Sequence, residues 1–335
     1  MVGLGKSDPY ARILVGSQEF RSPVIYNTVN PKWNYVCEVV VHHLHGQNLE
    51  LEVMDEDQGS KDDFLGRTSL SLNTISRDGL TEAWLTLKDI KTGAVHVRAT
   101  WFSFSDNKED LENSLKESKA IKTKYKSMYG SDETDSTQFG SVAAVLVYLD
   151  CARNLPVISK TAEEPDPYCI ITVGRQKRHS IVKNCCKNPI WEETFNFLVD
   201  NLTPNLELHS EIIDSKTNRQ LGTTKLKIET VMASENMTFN QPLPIKGSDG
   251  CELSITVVIR ILKQQVMKNT PKMVIEEPIQ ETEESHIPTL EDIIKGTVQP
   301  IIDSSGLKGD IIERSQNERK HSLVKTNGYL FNFHQ

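Results

Sequence analysis

Carboxylates crowd one short stretch of this 335-residue chain, where Asp55, Glu56 and Asp57 are followed by Asp62 and Asp63. Aspartate and glutamate offer hard oxygen donors, the kind a calcium ion gathers six to eight at a time. One loop rarely supplies that many. Taken alone, the Asp55, Asp57, Asp63 spacing reads equally well as a cation site or as a solvated acidic turn. A second group has the opposite sign: Arg175, Lys177, Arg178, His179, Lys183 and Lys187 fall across what read as two strands. With a period of two, Arg175, Lys177 and His179 share one face, and Lys183 and Lys187 stay in phase with it. That strip is either an anion-binding surface or an ordinary solvated face. His42, His43 and His45 form a third group, but neighbouring strand residues face opposite sides and no cysteine stands near, so an exposed strand end is expected there.

Nothing in the chain points to catalysis. It holds no GxSxG, P-loop, HExxH or kinase signature, so an enzyme is not expected. The six cysteines are scattered, without a CxxC, which argues against a disulfide framework or a structural zinc site and for buried thiols. The longest clean apolar run, Val142 to Leu149, is far short of the ~18 residues of a membrane span. No apolar signal segment follows Met1, so the chain is expected in the cytosol unless a further segment anchors it. The formal net charge is −8 with no block basic enough for nucleic acid.

The elements that hold these groups follow from an internal repeat. Asp8-Pro9-Tyr10, Val15-Gly16 and Asn30-Pro31-Lys32-Trp33 return at one constant separation as Asp166-Pro167-Tyr168, Val173-Gly174 and Asn188-Pro189-Ile190-Trp191. Leu49-Glu50-Leu51 and Leu65-Gly66 return as Leu206-Glu207-Leu208 and Leu221-Gly222, slipping by only one or two positions. This is a tandem duplication. Each copy is built of short β-rich runs, such as Tyr10–Val15, Tyr35–Val41, Leu49–Met54 and Val95–Phe102, divided by Asn-Pro, Gly-Ser and Asp-rich turns. Such spacing predicts an all-β fold of antiparallel sandwiches. Val142–Leu149 and Leu253–Leu262 open and close the second copy. The first has a closing run, Val95–Phe104, but no opening one, so a missing strand is expected. The predicted organisation is a first domain over 1–106, a linker over 107–139 with a short amphipathic helix from Asp110 to Lys126, a second domain over 140–264, and an acidic, proline-interrupted, disordered tail over 265–335.

Gly5-Lys6-Ser7-Asp8-Pro9-Tyr10, Asn30-Pro31-Lys32-Trp33-Asn34, Asp55-Glu56-Asp57 and Lys61-Asp62-Asp63-Phe64-Leu65-Gly66 resemble a C2 domain. Together with Val147-Tyr148-Leu149-Asp150-Cys151-Ala152-Arg153-Asn154-Leu155-Pro156, they resemble the first two C2 domains of the extended synaptotagmin (tricalbin-like) family, over roughly residues 3–264. The resemblance implies two C2 sandwiches of type II topology. The family's membrane hairpin and lipid-transporting SMP module have no counterpart here, so the chain reads as a fragment or short form unable to transfer lipid alone.

In C2 domains two loops converge at one end of the sandwich, and the resemblance places Asp8 on one and Asp55, Glu56, Asp57 and Asp63 on the other as calcium ligands. Glu56 would give a backbone carbonyl or its carboxylate, with Ser60 as a peripheral ligand and Asp62 as a second-sphere or alternate group. Gly59 stands where synaptotagmins insert an aromatic, and Phe64 is expected in the core. In the second copy Lys216 and Arg219 replace Asp57 and Asp63, so no calcium is expected there. Its basic strip lies where C2 domains contact phosphoinositides. The implied function is calcium-dependent binding of anionic phospholipids, phosphoinositides included, by a peripheral tethering module of a lipid-transport protein. The implied place is the cytoplasmic face of membranes, at endoplasmic reticulum–plasma membrane contacts where the protein is anchored. A dimer or a partner protein is compatible with it. The alternative is a calcium-independent protein-interaction scaffold of degenerate C2 domains.

Overall fold

The computed structural model describes residues 7–42, 44, 46–129, 140–157, 164–247 and 250–264, with the backbone of 329–334. His43, His45 and most of the acidic tail lie outside the described residues. The first copy supplies β1 (Pro9–Val15), β2 (Gln18–Arg21), β3 (Val36–Val41), β4 (Asn48–Asp55), β5 (Asp63–Ser71), α1 (Leu72–Asp78), β6 (Leu80–Thr86) and β7 (Ala94–Ser105). After α2 (Asp110–Tyr129) the second copy supplies β8 (Ala143–Arg153), β9 (Pro167–Val173), β10 (Gln176–His179), β11 (Ile190–Val199), β12 (Glu207–Asp214), β13 (Arg219–Lys227), α3 (Ile228–Ala233), β14 (Thr238–Pro244) and β15 (Glu252–Gln264). A last strand, β16 (Tyr329–His334), lies inside the segment expected to be disordered.

Each copy is an antiparallel sandwich. One sheet of the first runs β2-β1-β4-β5, and its counterpart in the second runs β10-β9-β12-β13. Alternate residues of β1 and β9 are buried, as period-two strands with one core face require. The opposing sheets fuse into one of eight strands, β11-β8-β15-β7-β16-β3, with β14 paired to β15 and β6 to β7. Fusion occurs where β7 and β15 meet antiparallel, Phe104 opposite Leu262. The two cores are separate: Ile13, Leu49, Leu51 and Trp101 anchor one, and Val147, Ile171, Phe197 and Ile259 the other.

The copies also meet away from that ladder. Glu38 of β3 is buried, and its carboxylate accepts bonds from Gly140 N (2.6 Å), Ser141 N (3.1 Å) and Ser141 Oγ (2.5 Å) at the threshold of β8. Burial pushes this carboxyl up to about 7 despite those donors. His42 Nε2 lies 2.9 Å from Asn196 Nδ2 of β11, so this histidine joins the two copies rather than ending an exposed strand. The repeated Leu-Gly has a steric cause. A Cβ on Gly66 would stand 2.9 Å from Ile90 Cδ1, and one on Gly222 2.1 Å from Ile245 Cγ2.

Candidate functional site

The ladder that builds the first sandwich also places its acidic residues. Pro9 pairs with Asp55 across β1 and β4, and Asp55 pairs with Asp63 across β4 and β5. Asp8, Asp55 and Asp63 therefore stand at three adjacent strand ends on one edge of the sheet, with Glu56 to Asp62 looping above them. Backbone bonds fix the arrangement. Asp8 N donates to Asp55 Oδ1 at 2.5 Å, Asn27 N to Asp8 Oδ1 at 2.7 Å, and Glu56 N to Asp8 O at 3.0 Å. Asp57 N donates to Asp62 Oδ1 at 3.2 Å, and Tyr10 Oη to Asp62 Oδ2 at 2.7 Å. The Tyr10 hydroxyl and the Asp57 amide hold the Asp62 carboxyl below its ordinary range.

The five expected ligands do not behave alike. Among the described residues no Lys or Arg makes an ion pair with Asp8, Asp55, Asp57 or Asp63. Glu56 is different: its Oε1 lies 2.9 Å from Arg21 Nη2, and its Oε2 accepts from Tyr26 Oη at 3.4 Å. Arg21 also stacks on Tyr10, its guanidinium carbon 3.7 Å from the ring centre. The Glu56 side chain thus serves a clamp between β2 and the loop, leaving only its backbone carbonyl as a donor. Arg21 carries no sequence signal for this role, because it reaches the loop across two strands.

Among the described residues no three acidic, histidine or cysteine side chains stand close enough to hold a metal ion. Like charges at adjacent strand ends keep apart unless a cation neutralises them. The donors themselves suit calcium: all are carboxylate or carbonyl oxygens, on two loops held against each other by backbone bonds.

Phe64 corrects an expectation. It is 43% exposed at the start of β5, not packed in the core. The β4–β5 register shifts between Val53 and Met54, which pair with Gly66 and Phe64, so Leu65 is an extra residue in the ladder. The bulge breaks the alternation that would have turned Phe64 inward. Phe64 and Tyr26, 64% exposed, now flank the acidic edge.

The corresponding edge of the second sandwich keeps the same scaffold. Pro167 pairs with Asp214, Asp214 with Arg219, and Asp166 N donates to Asp214 Oδ1 at 2.8 Å. Cys185 N donates to Asp166 Oδ1 at 2.6 Å, as Asn27 does to Asp8. The difference is the Lys216 ammonium, 3.0 Å from Asp166 Oδ1, while Thr217 Oγ1 donates to Asp214 Oδ2 at 2.5 Å. The Cys185 amide and then Lys216 hold Asp166 low, and the bond to Asp166 raises Lys216.

The basic strip is less continuous than its period suggested. Lys177 and His179 lie on β10, the edge strand beside β9, and His179 stacks on Tyr168 with ring centres 6.2 Å apart. Arg175 sits in the β9–β10 turn at the end of this strand. Lys183 and Lys187 are not on a strand: residues 180–189 form a loop, tied by Lys183 N to Pro167 O and by Lys187 N to Glu164 Oε2. Strand phase therefore does not bring them to the strip. Glu211 and Glu207 lie on the same sheet, beside His209 at 3.3 Å and Lys225 at 3.6 Å, and dilute its charge.

Comparison with known proteins agrees with this architecture. The C2 domain family model matches residues 1–87 and 144–243. Extended synaptotagmin-2 of Homo sapiens is 33% identical over 268 residues, which are 80% of this chain and 28% of that protein. Extended synaptotagmin-2-B of Xenopus laevis is 31% identical over 320 residues, 88% of this chain and 34% of that one. The chain thus spans about a third of the length of these relatives or less. A solved structure of two C2 domains of extended synaptotagmin 2, calcium bound, aligns with a TM-score of 0.64 at 32% identity, covering 79% of this chain and 90% of that one. The chain belongs to the C2 domain family, with two C2 sandwiches in tandem and the extended synaptotagmins as its relatives.

Proposed function

We propose that the first sandwich binds calcium at its acidic edge and, once neutralised, docks on anionic phospholipid membranes, while the second sandwich binds no calcium. One observation carries this reading. Two edges with the same backbone scaffold differ in charge balance: Lys216 lies on Asp166 at 3.0 Å, whereas Asp8, Asp55, Asp57 and Asp63 have no Lys or Arg ion-pair partner among the described residues. An internal ammonium satisfies the second edge. The first has donors to spare for an external cation.

Asp8, Asp55, Asp57 and Asp63 would hold the ion, with the Glu56 carbonyl as a further oxygen. Bound calcium supplies positive charge to an edge that otherwise repels an anionic leaflet. The chain's own residues do the rest. Tyr10 and Asp62 fix the loop from Asp57 onward, and Arg21 turns Glu56 aside. Phe64 and Tyr26 offer exposed rings at the surface that meets the lipid. Docking then combines a salt-sensitive attraction with a modest apolar contribution.

In the second sandwich, Arg175, Lys177 and His179 support calcium-independent contact with phosphoinositide headgroups, with Lys183 and Lys187 as loop-borne additions. Joined in one body, the two would act as the membrane-facing part of a tether at contacts between the endoplasmic reticulum and the plasma membrane. Calorimetric titration of the full chain with calcium tests the site. Heat attributable to the first edge should be lost in Asp55→Asn/Asp57→Asn and kept in Lys216→Ala. Equal loss in both variants, or none in either, would remove the reading.

A further inference from the structure

In the second sandwich, the strand between β11 and β15 is β8, which precedes both in the chain. In the first sandwich the same place, between β3 and β7, is taken by β16, which follows both by more than two hundred residues. We propose that Tyr329–His334 is an intramolecular donor strand, and that the slot between β3 and β7 is a strand-accepting peptide groove whose occupant is this C-terminal segment.

The registers match position by position. Val145 of β8 pairs with Phe197 and Ile259, and Phe331 of β16 pairs with Val39 and Trp101. Val39 and Phe197, like Trp101 and Ile259, stand at the separation of the internal repeat. Both strands run antiparallel to both neighbours, so β16 reproduces the direction of β8 as well as its place.

The slot has what a strand ligand needs. β3 and β7 present backbone rails on either side, and β16 forms ladders with both, from Tyr329 opposite Val41 to His334 opposite Val36. Main-chain pairing of this kind gives affinity, and alternate positions give selectivity. Cys37, Val39 and Val41 on β3, with Ala99 and Trp101 on β7, are buried members of the first core. The tail residues in register with them are Phe333, Phe331 and Tyr329, so every core-side register position carries an aromatic residue. Leu330, Asn332 and His334 occupy the alternate positions.

The same chain can supply the strand. Gln264, at the end of β15, pairs with Phe102 from one side, and Leu330 pairs with Phe102 from the other. The tail therefore leaves and returns across one strand, a gap of about 10 Å at ordinary strand spacing. The residues from 265 to 328 have a contour length many times that gap. Nothing requires a second copy.

The substitution Phe333→Cys tests this in the full chain, because the ladder partner of Phe333 is the buried thiol Cys37. Directly opposed strand residues have Cα atoms roughly 4.5–5.5 Å apart, within disulfide range. Under mild oxidation, Phe333→Cys should give one intramolecular disulfide between Cys37 and the introduced thiol, mapped by mass spectrometry, in a species that stays monomeric. Leu330→Cys, shifted to the alternate phase, should leave Cys37 reduced. Equal cross-linking by both variants, no Cys37 adduct, or the same bond formed between two chains would overturn the proposal. Phe331→Pro gives a second readout that does not depend on thiols, since proline cannot complete the ladder. Amide exchange across Val36–Val41 should then rise on the order of 100-fold, with Ile190–Val199 unchanged. Unchanged exchange in Val36–Val41 would contradict the donor strand.

Discussion

The acidic edge of the first sandwich and its counterpart in the second share strand ends, register and the aspartate-to-aspartate backbone bond, yet differ in charge balance. Asp8 and Asp166 each accept an amide from the following loop, and the amide of each donates to the paired aspartate. Among the described residues, only the second edge sets a cation on its strand-end aspartate, Lys216 on Asp166, whereas Arg21 in the first is turned to Glu56. On the function proposed above, the fold keeps a place for a positive charge, supplied by Lys216 in one copy and by calcium in the other. The connecting loop is also shorter in the second copy, where Asp214 pairs with Arg219, than in the first, where Asp55 pairs with Asp63.

The strongest way to break this comparison is to give the first edge the cations of the second. Asp57→Lys/Asp63→Arg should abolish the calcium response, weakening affinity at least about 100-fold, because two ligands are lost and two like charges face the ion. Calorimetry on the double variant checks it, and retained affinity would mean that the aspartates are not the ligands.

The junction that holds the two edges in one body gives the next effect. Burial raises the Glu38 carboxyl from an ordinary 4.5 to about 7, so the folded state binds its proton more tightly than the unfolded chain does. The resulting penalty is absent below about pH 4.5, grows as pH rises, and is complete above about pH 7, where it reaches roughly 3 kcal/mol. Glu38→Gln should therefore flatten the fall in stability between those limits, as followed by denaturant unfolding at several pH values. An unchanged slope would assign the pH dependence to other groups.

Phe64→Ser should reduce calcium-dependent membrane affinity about tenfold, consistent with partial burial of one aromatic ring, and vesicle sedimentation reads it. The smallest effect is expected from Lys177→Glu, about two- to threefold on phosphoinositide vesicles, since Glu211 and Glu207 already dilute that face. A large loss there would shift the main membrane contact to the second sandwich.

The sequence made the paired edges legible because each rests on a tripeptide fixed by sheet geometry: Asp8-Pro9-Tyr10 and Asp166-Pro167-Tyr168 open equivalent strands, β1 and β9. Lys216 was visible as a cation in a ligand position, though its contact with Asp166 was not. Phe64 was misplaced because a bulge at Leu65 resets the alternation, and period-two reasoning has no sign of a bulge until the partner strand is known. The strand whose phase would carry Lys183 and Lys187 ends at His179. Glu38 and β16 were beyond local reading for a common reason. Their partners, Ser141 for one and β3 and β7 for the other, lie more than a hundred residues away in sequence, and nothing in a local pattern records such a pairing.

Cosedimentation of the full chain with phosphatidylserine and phosphoinositide vesicles, in calcium and in chelator, tests the account most directly when run beside Asp55→Asn/Asp57→Asn. Binding should rise sharply with calcium in the unaltered chain and lose that rise in the variant. Equal binding with and without calcium, unaffected by the two substitutions, would contradict it.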